Sequence, residues 1–89
     1  MNAALQIRVE GEVQGVFFRA HAKAQADWLG LKGWVRNEAD GTVLIEAEGE
    51  REQLDRLVEW CKGGSPEARV TKVEVEEAQP EHHTQFRVM

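Results

Sequence analysis

The sequence predicts an α+β sandwich in which two helices cover one face of a mainly antiparallel sheet. Three features of the 89-residue chain support this fold class. Residues 5–13 alternate apolar and polar side chains, residues 54–61 carry apolar side chains at helical spacing, and Asp40-Gly41 joins two β-type runs as a hairpin turn does. The predicted order is strand, helix, strand, strand, helix, strand, strand.

The first half of the chain is predicted to form four elements. The alternation in residues 5–13 is typical of a half-buried strand. Residues 20–31 are rich in alanine, and Gly30 and Gly33 lie where a helix would stop. A strand, a turn ending in Asp-Gly and another strand follow over residues 33–37, 38–41 and 42–48.

The second half is predicted to form a helix and two strands. Apolar side chains at i, i+3, i+4 and i+7 form a core-facing stripe: Leu54, Leu57, Val58 and Cys61. Gly-Gly-Ser-Pro at residues 63–66 ends this helix. Valines in residues 70–75 indicate a strand whose alternation slips once, as at a bulge or a late start. Residues 79–83 are a polar loop, and residues 84–88 form a short last strand.

This order of elements predicts where chemistry would take place. A strand–helix–strand crossover leaves its two strands parallel, and it is almost always right-handed. Parallel strands end at the same edge of a sheet. We therefore expect the loop after Val13 and the end of the second strand near Asn37 to lie side by side.

Composition and charge exclude several classes of protein. Eleven bases against sixteen acids give a net charge of -5, which argues against a sequence-independent nucleic-acid binder. No apolar run is long enough to span a membrane, and the N-terminus lacks the features of a signal peptide. Cys61 is the only cysteine, so no internal disulfide can form. We expect one cytoplasmic domain comprising residues 1–89.

The segment between the first strand and the first helix has the features of an anion site. Gly15 permits a tight backbone path, and Arg19 lies at the start of the helix. No Ser, Thr, Asp or Asn occurs between Val13 and Ala26, so the helix lacks an ordinary side-chain cap. Free amides beside a guanidinium suit phosphate. The alternative is an uncapped helix whose amides bind water, with Arg19 solvated; the lysine and hydroxyl of a P-loop are absent.

Two motifs resemble those of the acylphosphatase family. Residues 11–19, Gly-Glu-Val-Gln-Gly-Val-Phe-Phe-Arg, resemble its first signature. Residues 33–43, Gly-Trp-Val-Arg-Asn-Glu-Ala-Asp-Gly-Thr-Val, resemble its second, continued by Glu-Ala-Glu-Gly at residues 46–49. The turn at residues 63–66 and the end of the chain are also similar, so the resemblance covers essentially the entire chain.

The resemblance implies a ferredoxin-like fold and metal-independent hydrolysis of acyl phosphates to a carboxylate and inorganic phosphate. It further implies that Arg19 and Asn37 are catalytic, with Arg19 binding phosphate and Asn37 holding the attacking water. Backbone amides implied to bind phosphate are those of Gln14, Gly15, Val16, Phe17 and Phe18. We expect no cofactor or metal, no nucleic-acid or membrane partner, and a monomer that acts on a small acyl phosphate.

Several other residues of types that occur in functional sites have simpler structural interpretations. His21 lies near Arg19, but a surface or packing histidine is the simpler interpretation. Trp34 lies beside Asn37 in the second motif and could shape the edge of the site. We interpret Cys61 as an inert buried thiol. Adjacent histidines in a polar loop are weak evidence for a metal site: His82 and His83, with Glu81. Residues 13–37 hold four bases and one acid, a local balance of +3: Arg19, Lys23, Lys32, Arg36 and Asp27.

Two other functions are compatible with this fold class. An RNA-recognition module needs exposed aromatic residues on its central strands, but charged residues are predicted there: Arg8, Glu10, Glu12, Glu46 and Glu48. A non-catalytic phosphate-binding domain, such as a partner in a larger maturation system, is the second alternative. The presence of both Arg19 and Asn37 favours an enzyme.

Overall fold

Seven segments form regular structure in the computed structural model, which describes residues 2–89. In chain order they are β1 (Asn2–Glu12), α1 (Phe18–Trp28), β2 (Lys32–Asn37), β3 (Val43–Glu50), α2 (Arg51–Gly63), β4 (Arg69–Ala78) and β5 (Phe86–Val88). The predicted order of elements and the α+β fold class are confirmed. The boundaries differ from the prediction by no more than three residues.

The five strands form one mixed sheet in the order β4-β1-β3-β2-β5. β3 pairs antiparallel with both β1 and β2, so β1 and β2 are parallel to each other as predicted. Their carboxyl ends lie at the same edge of the sheet. The expectation that these ends lie side by side needs one correction, because β3 separates the two strands. β4 pairs antiparallel with β1, and β5 pairs parallel with β2.

The core lies between the sheet and the two helices. Alternate residues of the central strands turn fully buried side chains toward the helices: Leu5, Ile7, Val9, Val43, Ile45 and Ala47. α1 meets this face with Ala22 and Ala26, whose small side chains allow close packing. α2 contributes Leu54, Leu57 and Cys61 of the predicted stripe. Cys61 is buried as predicted, and burial raises the pKa of its thiol to about 12.

Each end of α1 has a specific local cause. The helix begins at Phe18, two residues before the predicted start, because this ring is buried against Trp60 with centroids 5.2 Å apart. It ends in a Schellman motif, in which Leu31 N–H donates to Ala26 O and Gly30 N–H to Asp27 O. Gly30 has the left-handed conformation (φ 72°) that this motif requires.

The predicted irregularity in β4 is a bulge. Glu10 pairs with Lys72 and Gly11 with Val70, so Thr71 is an extra residue on β4. Only glycine fits at position 11, because a Cβ atom there would lie 2.0 Å from Arg69 O. The bulge shifts the alternation of the strand by one residue, which explains the slip in the sequence pattern.

Candidate active site

Residues 14–17, here called the 14–17 loop, connect β1 to α1 at the edge of the sheet where β2 also ends. The side chain of Gln14 fixes this loop to the hairpin between β2 and β3. Its Nε2 donates to Glu38 O at 2.8 Å and to Thr42 O at 2.9 Å. Since Glu38 directly follows Asn37, these two bonds bring the first predicted motif against the second.

The other end of the loop is held by the turn after α2. Ser65 is buried, and its hydroxyl donates to Val16 O at 2.8 Å. Phe18 fills the space beside Gly64, where an added Cβ would lie 2.8 Å from the ring. The Gly-Gly-Ser-Pro turn is predicted from the sequence to end α2, and no sequence pattern indicates that Ser65 positions the loop. A single serine beside proline offers no local signal of such a long-range contact.

The 14–17 loop presents backbone amides that have no acceptor in the protein. In the described chain, the N–H groups of Gly15, Val16 and Phe17 donate no hydrogen bond. α1 has no side-chain cap hydrogen bond and no acid in its first turn, as the sequence predicted. Gly15 (φ 75°) and Phe17 (φ 61°) are left-handed, and such residues turn neighbouring N–H groups toward one concavity. This group of donors at a helix N-terminus is suited to an anion.

Arg19 lies in the first turn of α1 and is held by the C-terminal segment. Its Nη1 donates to Met89 O at 2.9 Å, while Met89 N–H donates to Val35 O of β2 at 2.8 Å. Met89 thus connects Arg19 to Val35 of β2, which lies two residues before Asn37. No side-chain carboxylate of residues 2–89 forms an ion pair with Arg19, whose polar partner in this structure is Met89 O.

Asn37 is the last residue of β2, and its side chain is on the face of the sheet that the helices cover. It pairs with Val43 and, by strand alternation, shares the face of the buried Val35. Its amide oxygen Oδ1 is buried and accepts no hydrogen bond from any described residue. A buried carbonyl oxygen without a donor is unfavourable, so this side chain has an unused capacity to accept from a small donor such as water.

Trp34 and Arg36 do not face this site. Alternation along β2 places both on the opposite side of the sheet from Asn37, and the guanidinium of Arg36 lies 4.5 Å from the Trp34 ring centroid. Arg36 also forms an ion pair of 2.8 Å with Glu38. The interpretation of Trp34 as part of the site's edge is therefore not supported by its position.

Pairing within the protein also reduces the local positive balance of +3 that was predicted around the site. Lys23 is paired with Asp27 at 3.0 Å and donates to Phe86 O at 2.9 Å, so it fastens α1 to β5. His21 is exposed on α1. Arg19 is therefore the base of this region that the geometry associates with the free amides.

One group of side chains elsewhere has the composition of a metal site. Ligand atoms of Glu46, Glu81 and His83 lie within 4.8 Å of one another. His83 Nε2 is already hydrogen-bonded to Glu46 Oε2 at 3.0 Å, which explains the cluster as an ordinary polar contact. Glu46 is on the sheet face opposite Asn37, so this group is not part of the site at the 14–17 loop. Neither helix of the described chain is long and apolar enough to cross a bilayer.

Comparison with known proteins identifies the family. Residues 5–88 match the acylphosphatase family. An acylphosphatase from Anaeromyxobacter sp. (strain Fw109-5) is 58% identical over 73 residues, covering 82% of this chain and 78% of that protein. One from Alkalilimnicola ehrlichii is 45% identical over 100% of both chains. The crystal structure of acylphosphatase from Bacillus subtilis has a TM-score of 0.95 at 42% identity, covering 100% of this chain and 99% of that one, which confirms the ferredoxin-like fold. The chain therefore belongs to the acylphosphatase family, hydrolases that act on acid anhydrides.

Proposed function

We propose that this acylphosphatase binds the phosphate of its substrate with Arg19 and the amides of residues 14–18, and that Asn37 holds the attacking water. The substrate is a small acyl phosphate, whose carboxyl–phosphate anhydride bond is broken. Water oxygen bonds to phosphorus while the bond to the acyl oxygen breaks, which yields a carboxylate and inorganic phosphate.

The phosphate-binding role rests on charge and on free donors. A guanidinium stays protonated and matches two phosphate oxygens at once. The partnerless amides of the 14–17 loop and of the first turn of α1 add fixed donors and the positive end of the helix dipole. Phosphoryl transfer needs this kind of positioning and charge stabilisation more than it needs a nucleophilic side chain.

The role of Asn37 rests on its buried, partnerless oxygen, and this observation carries the proposal. An amide oxygen accepts a hydrogen bond from water and so orients the water's lone pair, but it cannot take the proton. The proton therefore passes to a phosphate oxygen of the substrate. No protein base is required, because a carboxylate is a good leaving group.

The test of the function is hydrolysis of benzoyl phosphate and acetyl phosphate by the purified protein with a chelator present. We expect turnover of these substrates to continue in the chelator. If the protein bound phosphate without hydrolysing either compound, it would be the non-catalytic phosphate-binding domain considered above.

Replacing Asn37 with Ala tests the division of roles. We expect kcat to fall by about 100-fold or more, because loss of one positioned hydrogen-bonding group removes roughly 2.7 kcal/mol of transition-state stabilisation. The inhibition constant of inorganic phosphate should remain within about threefold of its wild-type value. A threefold change is about half of a tenfold change in free energy, and it is small beside the expected loss of kcat. Equal loss of turnover and phosphate affinity in Asn37→Ala would contradict the water-holding role.

The remaining expectations extend the proposal to the whole molecule. One sheet and one contiguous core support a single domain for residues 1–89. A lone buried thiol is compatible with the reducing cytoplasm. We propose a monomer, because the long edge strand β4 carries charged residues that oppose strand pairing with a second copy. Light scattering on the eluting peak of a sizing column tests the oligomeric state.

A further inference from the structure

A cleft of about 370 Å³ lies on the face of the sheet that the helices do not cover. Its lining residues come from β2, from residues 81–85 and from the end of the chain, and they include Trp34, Arg87 and Met89. Trp34 and Arg87 are partners in the parallel pairing of β2 with β5. Strand alternation places both on the opposite side of the sheet from Asn37. This cleft, here called the β2–β5 cleft, is therefore separate from the proposed active site.

One wall of the β2–β5 cleft belongs to the segment of residues 79–85. β4 and β5 are the two edge strands of the sheet, so this segment passes from one edge to the other. Partway along, two of its amides donate to the Glu48 carboxylate of β3 at 3.1 and 2.8 Å. At its end, Gln85 O accepts from Gly33 N–H of β2 at 3.0 Å. The wall is thus fastened to two strands, and the cleft is preformed.

Arg87 supplies a positive charge to the β2–β5 cleft. The amide of Gln85, oriented with its oxygen toward the guanidinium, accepts from Arg87 Nε at 3.1 Å and from Nη2 at 3.2 Å. This contact holds the guanidinium, and Arg87 forms no ion pair with a side-chain carboxylate of residues 2–89. The acid among the lining residues is Glu81, and its carboxylate is directed to His83 Nε2 at 3.8 Å.

The apolar part of the cleft consists of an indole and a thioether. Trp34 is half-buried, and the guanidinium of Arg36 lies 4.5 Å from its ring centroid. Met89 is 58% exposed, although its N–H is bound to Val35 O of β2 at 2.8 Å. An aromatic ring and a sulfur atom are both favourable packing partners for a planar aromatic molecule.

We propose that the β2–β5 cleft binds a small aromatic carboxylate, with its ring against Trp34 and Met89 and its carboxylate on Arg87. The volume lies near the lower end of the range for small-molecule sites, about 300–1,000 Å³, so the occupant is a small molecule. The planar guanidinium matches a carboxylate in geometry and charge. A monoanion is favoured over a phosphate dianion, because Glu81 adds negative charge to the same cleft. This site does not depend on the proposed catalytic roles.

The test measures the Kd of 2-naphthoate by isothermal titration calorimetry. Arg87→Gln should raise this Kd by about tenfold, because the carboxylate loses its charged partner. Trp34→Leu should raise it by about fivefold through loss of the aromatic contact. The matched control is Arg56→Gln, which removes an exposed guanidinium on α2 and changes the net charge equally. The Kd of this variant should stay within about twofold of wild type.

A second measurement locates the bound probe. In a spectrum of the backbone and indole N–H groups recorded by NMR, 2-naphthoate should shift the indole signal of Trp34. The indole of Trp28 is 84% exposed on α1, and its signal should not move. The Trp34→Leu variant assigns the Trp34 signal by its disappearance.

Three results would overturn the proposal. A Kd weaker than about 10 mM would mean that the cleft does not hold an aromatic carboxylate. Equal increases of Kd in the Arg87 and Arg56 variants would mean that only net charge matters. A Kd that rises in Arg19→Ala but not in Arg87→Gln would place the carboxylate at the 14–17 loop.

Discussion

Two regions of the molecule use the same backbone conformation but differ in what their amides bind. In the described chain, the non-glycine residues with positive φ are Phe17 (φ 61°) and His82 (φ 60°). At His82, two successive amides donate to one carboxylate: His82 N–H to Glu48 Oε2 at 3.1 Å and His83 N–H to Glu48 Oε1 at 2.8 Å. After Phe17, the first turn of α1 contains no acidic residue among residues 2–89.

The comparison shows how the fold distinguishes a structural anion from a substrate anion. Burial alone would raise the pKa of Glu48, but the amides of His83 and His82 outweigh burial and hold the pKa of this carboxyl below its usual value. Two successive amides at a left-handed residue thus form a geometry that favours negative charge. The 14–17 loop has similar amides and the additional charge of Arg19, and its own sequence supplies no carboxylate.

The largest effect on activity should come from removing the charge of Arg19 beside the 14–17 loop. Arg19→Ala should lower kcat/KM by about 100- to 1,000-fold and weaken inhibition by phosphate, because the guanidinium binds phosphate before and during the reaction. The matched control is Arg51→Ala, which removes a guanidinium at the first residue of α2, where Arg51 pairs with Glu77 and Asp55. Steady-state kinetics should show the Arg51 variant within about twofold of wild type. Retention of more than a tenth of the activity by Arg19→Ala would contradict the role of the guanidinium.

A smaller effect on phosphate binding should follow from placing a carboxylate beside the free amides of the 14–17 loop. Ala20 is exposed in the first turn of α1, so Ala20→Glu places an acid where it can reach the free amides. Stability should rise by about 0.5 kcal/mol, while the Ki of phosphate should increase by roughly fivefold to tenfold through competition and repulsion.

Ala24→Glu is the control for this change, because it adds the same charge one turn further along the exposed face of α1. Urea unfolding and phosphate inhibition measured on both variants separate a local effect from one of net charge. An equal rise in Ki for both substitutions would show that the free amides at the helix start are not the phosphate site.

The smallest effect on function should come from changing Glu48, the carboxylate that the amides of His82 and His83 bind. The same change should have the clearest effect on stability. Glu48→Gln should lower the free energy of unfolding by about 1–2 kcal/mol at pH 7, since amide bonds to a charged acceptor are stronger than those to a neutral one. The lowered pKa of Glu48 means that its stabilisation is present above the unfolded pKa and is lost as the pH falls through the folded one. The difference between variant and wild type should therefore shrink in acid. A difference that is constant from pH 7 to about pH 3 would contradict this assignment.

Local patterns were sufficient to predict the elements of this fold and the start of the site. Alternation in β1, the stripe of α2 and the Asp40-Gly41 turn depend on residues close in the chain, and the structure confirms all three. The absence of a capping side chain before α1 was also visible in the sequence, since caps are drawn from residues beside the helix. The positions of Arg19 and Asn37 came from the motifs that contain them.

The sequence did not predict which side chains hold those residues in place. The family resemblance implies a role only for the backbone amide of Gln14, yet its side chain joins the 14–17 loop to the β2–β3 hairpin. Ser65 and Met89 act on the site from 49 and 70 residues away, counted to Val16 and Arg19 respectively. Strand alternation in the folded sheet turns Trp34 away from Asn37, although the two are close in sequence.

The sequence by itself determined the fold class, the order of elements, the uncapped start of α1 and the residues of the two motifs. These features follow from side-chain periodicity, turn chemistry and capping, all of which act over a few residues. The tertiary structure decided that Arg19 is the base held beside the free amides and that the Asn37 amide oxygen is buried without a donor among the described residues. Those outcomes depend on strand register and on contacts between distant segments, which no local pattern records.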